Sequence, residues 1–147
     1  MPEFEDVTIL LVEDDPGHAR LIEKNLRRSS VTNSIVQISD GQSAVDFLFR
    51  RGDYSHRRGV PRLLMLLDLN LPGLDGYQVL RRVKEDPSTR RIPIVVLTTT
   101  EDRQEVDRCY ELGCSLFVTK PVDYADLTDT LRRLGQVLPI LKVPMAV

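Results

Sequence analysis

The run "LLMLLD" carries five apolar residues, Leu63 to Leu67, straight into one carboxylate, Asp68. Three other apolar runs also end on polar groups. "VTILLVE" leads into Glu13, Asp14 and Asp15, "PIVVLT" into Thr98, Thr99 and Thr100, and "SLFVTK" into Lys120. Taken singly, each has an ordinary explanation. Asp15-Pro16 is a good helix start, Asp68 suits an Asx-turn ahead of Pro72-Gly73, Thr98 is a common strand residue and Lys120 a common surface one. Taken together they make a reactive set. Two carboxylates about 4 Å apart repel by roughly 4 kcal/mol at an effective dielectric near 20, so a cation has to sit among them. Glu and Asp oxygens, with no His or Cys nearby, suit a hard divalent ion held by few protein ligands, which is the habit of Mg²⁺. The chemistry this suggests is phosphoryl transfer. Asp68 would be the nucleophile that becomes an acyl phosphate, the metal and Lys120 would screen the transferred group, and Thr98 would donate to its oxygens.

For these groups to meet, the chain must bring several strand ends to one place. Runs rich in Val, Ile and Leu at 7–13, 34–39, 62–68, 93–98 and 115–120 read as strands covered on both faces. Between them the apolar residues take a helical period: Ala19, Ile22 and Leu26; Val45, Leu48 and Phe49; Leu80 and Val83; Val106, Cys109 and Tyr110; Leu127, Leu131, Leu134 and Leu138. Asp15, Asp40, Asp75 and Asp123 stand at helix starts, and Gly113 at a helix stop. Strict β–α alternation predicts an α/β fold with a doubly wound five-stranded parallel sheet. Its ligands belong beyond the carboxyl ends of the strands, where the strand order reverses. An order of 2-1-3-4-5 makes strands one and three neighbours and crowds their carboxylates into one crevice.

Composition narrows the classes. With 147 residues, 41% of them hydrophobic, the chain reads as one domain, with a core over about 6–138 and an apolar tail over 139–147. A net charge of -2 argues against nucleic-acid binding by bulk charge. The basic stretch from Arg50 to Arg62 reads as a solvated loop. Cys109 and Cys114 have neither metal-site nor CxxC spacing and read as reduced core thiols. The acidic N-terminus lacks secretion-signal character and no apolar run is long enough to span a membrane, so a soluble cytoplasmic protein is expected.

In order and spacing, "ILLVEDD", "LLDLNLPGLDGYQVL", "IPIVVLTT" and "FVTKP" resemble the receiver domain of bacterial two-component response regulators, whose fold is flavodoxin-like. The resemblance covers nearly the whole chain. It implies phosphorylation at Asp68 by a sensor histidine kinase, and Mg²⁺ held by Glu13, Asp14, Asp68 and the backbone carbonyl of Asn70. It places phosphate contacts at Thr98, Thr99 and Lys120, a switch at Thr98 and Phe117, and a cis bond between Lys120 and Pro121. Two positions depart from the usual pattern. Glu13 stands where many members have aspartate, and Phe117 lacks the hydroxyl of a switch tyrosine. With no output domain after the last helix, the chain resembles a stand-alone receiver, a signalling module that promotes only its own phosphorylation and dephosphorylation.

The long loop before strand three, "NLPGLDG", "DPSTRRIPIVVLTT" and the tail "VLPILKVP" are similar to the small response regulators that pair with phytochrome-like light-sensing kinases. Leu138, Ile140, Leu141 and Val143 need burial, either in a homodimer that also uses helix 4, strand 5 and helix 5, or by folding back on their own domain. Rival readings fit less well. A haloacid-dehalogenase-type phosphatase needs an aspartate where Asn70 stands, and an EF-hand loop from Asp68 would have Pro72 at its fifth position and Val79 at its twelfth. Neither GxGxxG nor GxxxxGK occurs. The remaining alternative is a receiver-fold binding module that works without phosphorylation.

Overall fold

The computed structural model describes residues 3–58 and 62–145. Five strands, β1 (Thr8–Val12), β2 (Ile35–Ile38), β3 (Leu63–Leu67), β4 (Ile94–Thr98) and β5 (Leu116–Thr119), form one parallel sheet in the order β2-β1-β3-β4-β5. Helices α1 (Pro16–Arg28), α2 (Gly41–Phe49), α3 (Gly76–Glu85), α4 (Arg103–Leu112) and α5 (Tyr124–Val137) alternate with them. The expected order and alternation are both present.

Successive strand residues face opposite sides of the sheet, and the core divides accordingly. Leu10, Val12, Met65, Leu67, Ile94 and Val96 pack on one side with Ala44 and Val45 of α2, Val79, Leu80 and Val83 of α3, and Cys109 of α4. Ile9, Leu11, Leu64, Leu66, Val95 and Leu97 pack on the other with Ala19, Ile22 and Leu26 of α1 and Leu127, Leu131 and Leu134 of α5. Burying each such leucine or isoleucine contributes about 1.5–3 kcal/mol, which is why the central strands β3 and β4 tolerate no polar residue before their ends.

The expected caps are in place. Asp15 accepts from the N–H of Gly17 and His18, Asp40 from Ser43, and Asp123 from Asp126. Asp75 and Gln78 close a reciprocal capping box. α4 begins on a cap not anticipated from the sequence, Asp102, which accepts from Gln104 N–H. Its face is also narrower than expected. Cys109 is buried, Val106 is half-buried and Tyr110 lies exposed, its hydroxyl accepting from the Phe117 N–H on the free edge of β5.

Both cysteines are free and buried, and burial pushes the Cys109 thiol up to about 11 and raises that of Cys114 as well. In the basic loop, Arg57 lies 4.2 Å over the Phe47 ring and donates to the Phe47 carbonyl, so it is tied to α2, while Arg50, Arg51 and Arg58 are exposed. Gly59, Val60 and Pro61 of that stretch lie outside the described residues.

The tail turns back. Leu138 and Val143 are buried with Phe4 and Val7 beside the α1–α5 layer, and Leu141 packs against them. Ile140 remains 75% exposed. Among the described residues no helix is long and apolar enough to cross a membrane.

Candidate functional site

The sheet register sets the site. Val12 pairs with Leu67, so β1 and β3 finish level, and the ladder runs one residue further. Glu13 N–H donates to the Ile38 carbonyl and Asp68 N–H to that of Val12, both at 3.0 Å, and Lys120 N–H donates to the Thr98 carbonyl at 2.6 Å. Three charged residues are thereby fixed by backbone bonds just past the apolar strands. β1, β3 and β5 end one residue earlier than the apolar runs suggested, because the charged residue turns out of the sheet while its N–H stays in it.

Their side chains converge. The Lys120 ammonium lies 2.7 Å from Glu13 Oε1 and 3.4 Å from Asp68 Oδ2, with all three side chains buried. Asp68 Oδ1 accepts from Asn70 N–H at 3.1 Å, and Glu13 Oε2 accepts from Asp15 N–H at 3.1 Å. Carboxylate oxygens of Glu13, Asp14 and Asp68 all lie within 4.8 Å of one another; Asp14 is exposed. Asn70 and Thr99 are also exposed, and Phe117 is half-buried against the α2–α3–α4 layer. Thr98 is fully buried and its hydroxyl has no hydrogen-bond partner among the described residues, a deficit that ordinarily costs about 1–3 kcal/mol.

Burial is the largest influence on Glu13 and drives its carboxyl upward. The hydrogen bond and charge of Lys120 pull it back, the Asp68 charge pushes it up again, and the balance lies at about 7, far above the ordinary 4.5. Lys120 thus compensates these acids only in part. With all three acids ionised, one ammonium leaves the pocket two charges negative, the charge of one divalent cation, and the donors are all oxygens. The residues fit such an ion.

Two expectations are corrected. The described peptide bonds are all trans, Lys120–Pro121 included. Trans is the more stable isomer of an X–Pro bond by about 0.5–1 kcal/mol, and in it Lys120 already reaches both its backbone and its carboxylate partners. The pocket also contains a histidine. His18 Nδ1 is 3.3 Å from Lys120 Nζ and 4.0 Å from Glu13 Oε1. The start of α1 was legible at Asp15-Pro16, but the angle at which the helix leaves β1, which brings its third residue to Lys120, was not.

A parallel sheet with this strand order and an acidic crevice at the ends of β1 and β3 defines a class of signalling module. Residues 9–132 match the response regulator receiver domain, and the chain belongs to that family. It is 41% identical over 120 residues to the response regulator Rcp1 of Synechocystis, covering 81% of this chain and 80% of that protein. The Mn(2+)-bound form of Rcp1 superposes with a TM-score of 0.86 at 36% identity, over 93% of this chain and 98% of that one. A response regulator receiver domain from Rhodospirillum rubrum gives 0.86 at 48% identity, over 95% and 98% of the two chains. The phosphorylated cyanobacterial phytochrome response regulator RcpA gives 0.84 at 33%, over 93% and 97%.

Proposed function

We propose that Asp68 accepts a phosphoryl group from a phosphohistidine of a cytoplasmic sensor histidine kinase, and that the kinase is phytochrome-like. The observation that carries this reading is the buried Glu13–Lys120–Asp68 cluster, with Asp14 at its rim and a charge deficit of two. An Asp68 oxygen attacks phosphorus, the P–N bond breaks, and the imidazole nitrogen keeps the electron pair. The carboxylate's single charge is replaced by the two of the phosphoryl group. Lys120 pairs with one phosphoryl oxygen, while the Thr98 hydroxyl and Thr99 N–H donate to another. Glu13, Asp14, Asp68 and the Asn70 carbonyl would hold a Mg²⁺, which would supply positive charge against the transferred group. The likeness to phytochrome-associated regulators supports the choice of partner.

The test is direct. Incubated with Mg²⁺ and acetyl phosphate, the protein is expected to gain one base-labile phosphoryl group, read by intact mass. Chelation or Asp68→Asn removes the gain. An unlabelled wild type, or a label placed elsewhere, favours a module that works without phosphorylation.

The orphaned Thr98 hydroxyl gains a partner when the phosphoryl group arrives, and Phe117 follows it, altering the face of α4, β5 and α5. Exposed Val122, Tyr124, Val137 and Ile140 supply apolar area for a homodimer through that face and the tail. Light scattering is expected to show a shift in dimer fraction on phosphorylation, and Thr98→Ala to abolish the shift while Asp68 still labels. A shift that persists in Thr98→Ala removes Thr98 from the coupling.

A further inference from the structure

A lysine ammonium carries three N–H bonds and no lone pair, and Lys120 has three acceptors within reach: Glu13 Oε1 at 2.7 Å, His18 Nδ1 at 3.3 Å and Asp68 Oδ2 at 3.4 Å. The ammonium can only donate, so His18 completes this set in the tautomer that presents the Nδ1 lone pair and carries its proton on Nε2. Two of these acceptors come from a single braced turn. Asp15 N–H bonds Glu13 Oε2, and Asp15 Oδ1 accepts from the N–H of Gly17 and His18. The turn that carries both the carboxylate and the imidazole is therefore fixed by its own bonds, and Lys120 reaches them from the end of β5.

We propose that His18 is a positioning residue for Lys120: with Glu13 it pins two of the three ammonium N–H bonds, which leaves the third directed at Asp68. Glu13 is the nearest partner and, acting alone, would leave the ammonium free to turn about one strong bond and draw it toward β1. The neutral second acceptor fixes that rotation without adding a competing negative charge. The consequence for phosphoryl acceptance rests on the Asp68 reading above; the hydrogen bond itself does not.

Two measurements keep these apart. In ¹⁵N–¹H spectra of the intact protein, the Lys120 ammonium is expected to be protected from solvent exchange, to lose that protection in His18→Leu and to regain it in His18→Asn, whose amide oxygen stands near the Nδ1 position. With Mg²⁺ and acetyl phosphate, His18→Leu is expected to lower the maximal labelling rate about tenfold, the scale of one lost charge-assisted hydrogen bond, with KM for the donor nearly unchanged. His18→Asn is expected to recover most of the rate. Equal ammonium protection in wild type and His18→Leu overturns the inference whether or not Asp68 labels. So does an Asn variant as slow as the Leu variant, since the imidazole would then act by shape. Absence of labelling in the wild type, with the ammonium pattern intact, counts against the phosphoryl-acceptor reading alone.

Discussion

Lys120→Met is expected to slow phosphoryl acceptance at Asp68 by about 10²–10³-fold and to make the fold depend on divalent cation. Lys120 and its two carboxylates are buried, and removing one member of a buried pair costs about 3–5 kcal/mol because the charge left behind has no partner. Here two charges are left. Glu13 has a way out, since burial already holds its carboxyl near 7 and the two Lys120 contributions that restrain it disappear in the variant. Its folded pKa then rises further above the ordinary 4.5. The native state binds the proton more tightly than the unfolded chain, so the stability this proton contributes is present below pH 4.5 and lost as pH rises through the folded value. In chelator the variant should therefore unfold far more readily at pH 8 than at pH 5.5. Mg²⁺ should narrow the gap at pH 8, since it supplies the missing positive charge. Urea titrations at both pH values, with and without Mg²⁺, read all of this. Equal loss at both pH values would show that Lys120 acts through packing rather than charge.

The residues that lay open in the sequence are those whose position follows from the strand pattern. Asp68, Glu13, Lys120 and Thr98 are strand-end residues, and once the order 2-1-3-4-5 is set, the meeting of the first three needs no side-chain detail. The caps at Asp15, Asp40, Asp75 and Asp123 are local signals of one or two residues and were equally open. What stayed hidden depends on angles that periodicity does not fix. His18 meets Lys120 only because of the azimuth at which α1 leaves β1. Tyr110 meets the β5 edge only because α4 starts at Asp102, one of several polar residues in "TTTEDR" that could cap it. The tail left two outcomes open because its burial partner, Phe4, lies at the opposite end of the chain and shares no local pattern with it. Leu138 and Val143 fold back, and Ile140 stays available to a partner.

Gly41→Ala and Gly76→Ala are expected to destabilise the protein by about 3 kcal/mol or more each, a fall in Tm of roughly 6–12 °C for a chain of this size. Helix propensity alone gives the opposite sign. Each glycine is the first residue of its helix, where alanine would ordinarily gain up to about 1 kcal/mol. Close approach of backbone decides the matter. A Cβ at Gly41 would stand 2.0 Å from the Leu74 carbonyl oxygen, and one at Gly76 would stand 2.4 Å from the Asp68 carbonyl oxygen and 2.5 Å from Leu69 Cα. Backbone atoms cannot rotate aside as a side chain does. The two substitutions differ in what they displace. Gly76→Ala pushes on Asp68, the proposed phosphoryl acceptor, whose Oδ1 is held by Asn70 and whose turn is closed by Gly76 N–H bonding the Leu69 carbonyl. Mg²⁺ affinity and labelling should fall together with stability. Gly41→Ala presses on Leu74, at the outer end of the same turn, so stability should fall while the folded fraction still labels. Gly73 is the internal comparison. Its φ is +68° with nothing among the described residues within 4 Å of an added Cβ, so Gly73→Ala should cost only about 1 kcal/mol, the price of left-handed backbone without a collision. A Gly76→Ala protein as stable as Gly73→Ala would mean that the β3–α3 turn can yield, and that Asp68 is held by its ladder bond alone.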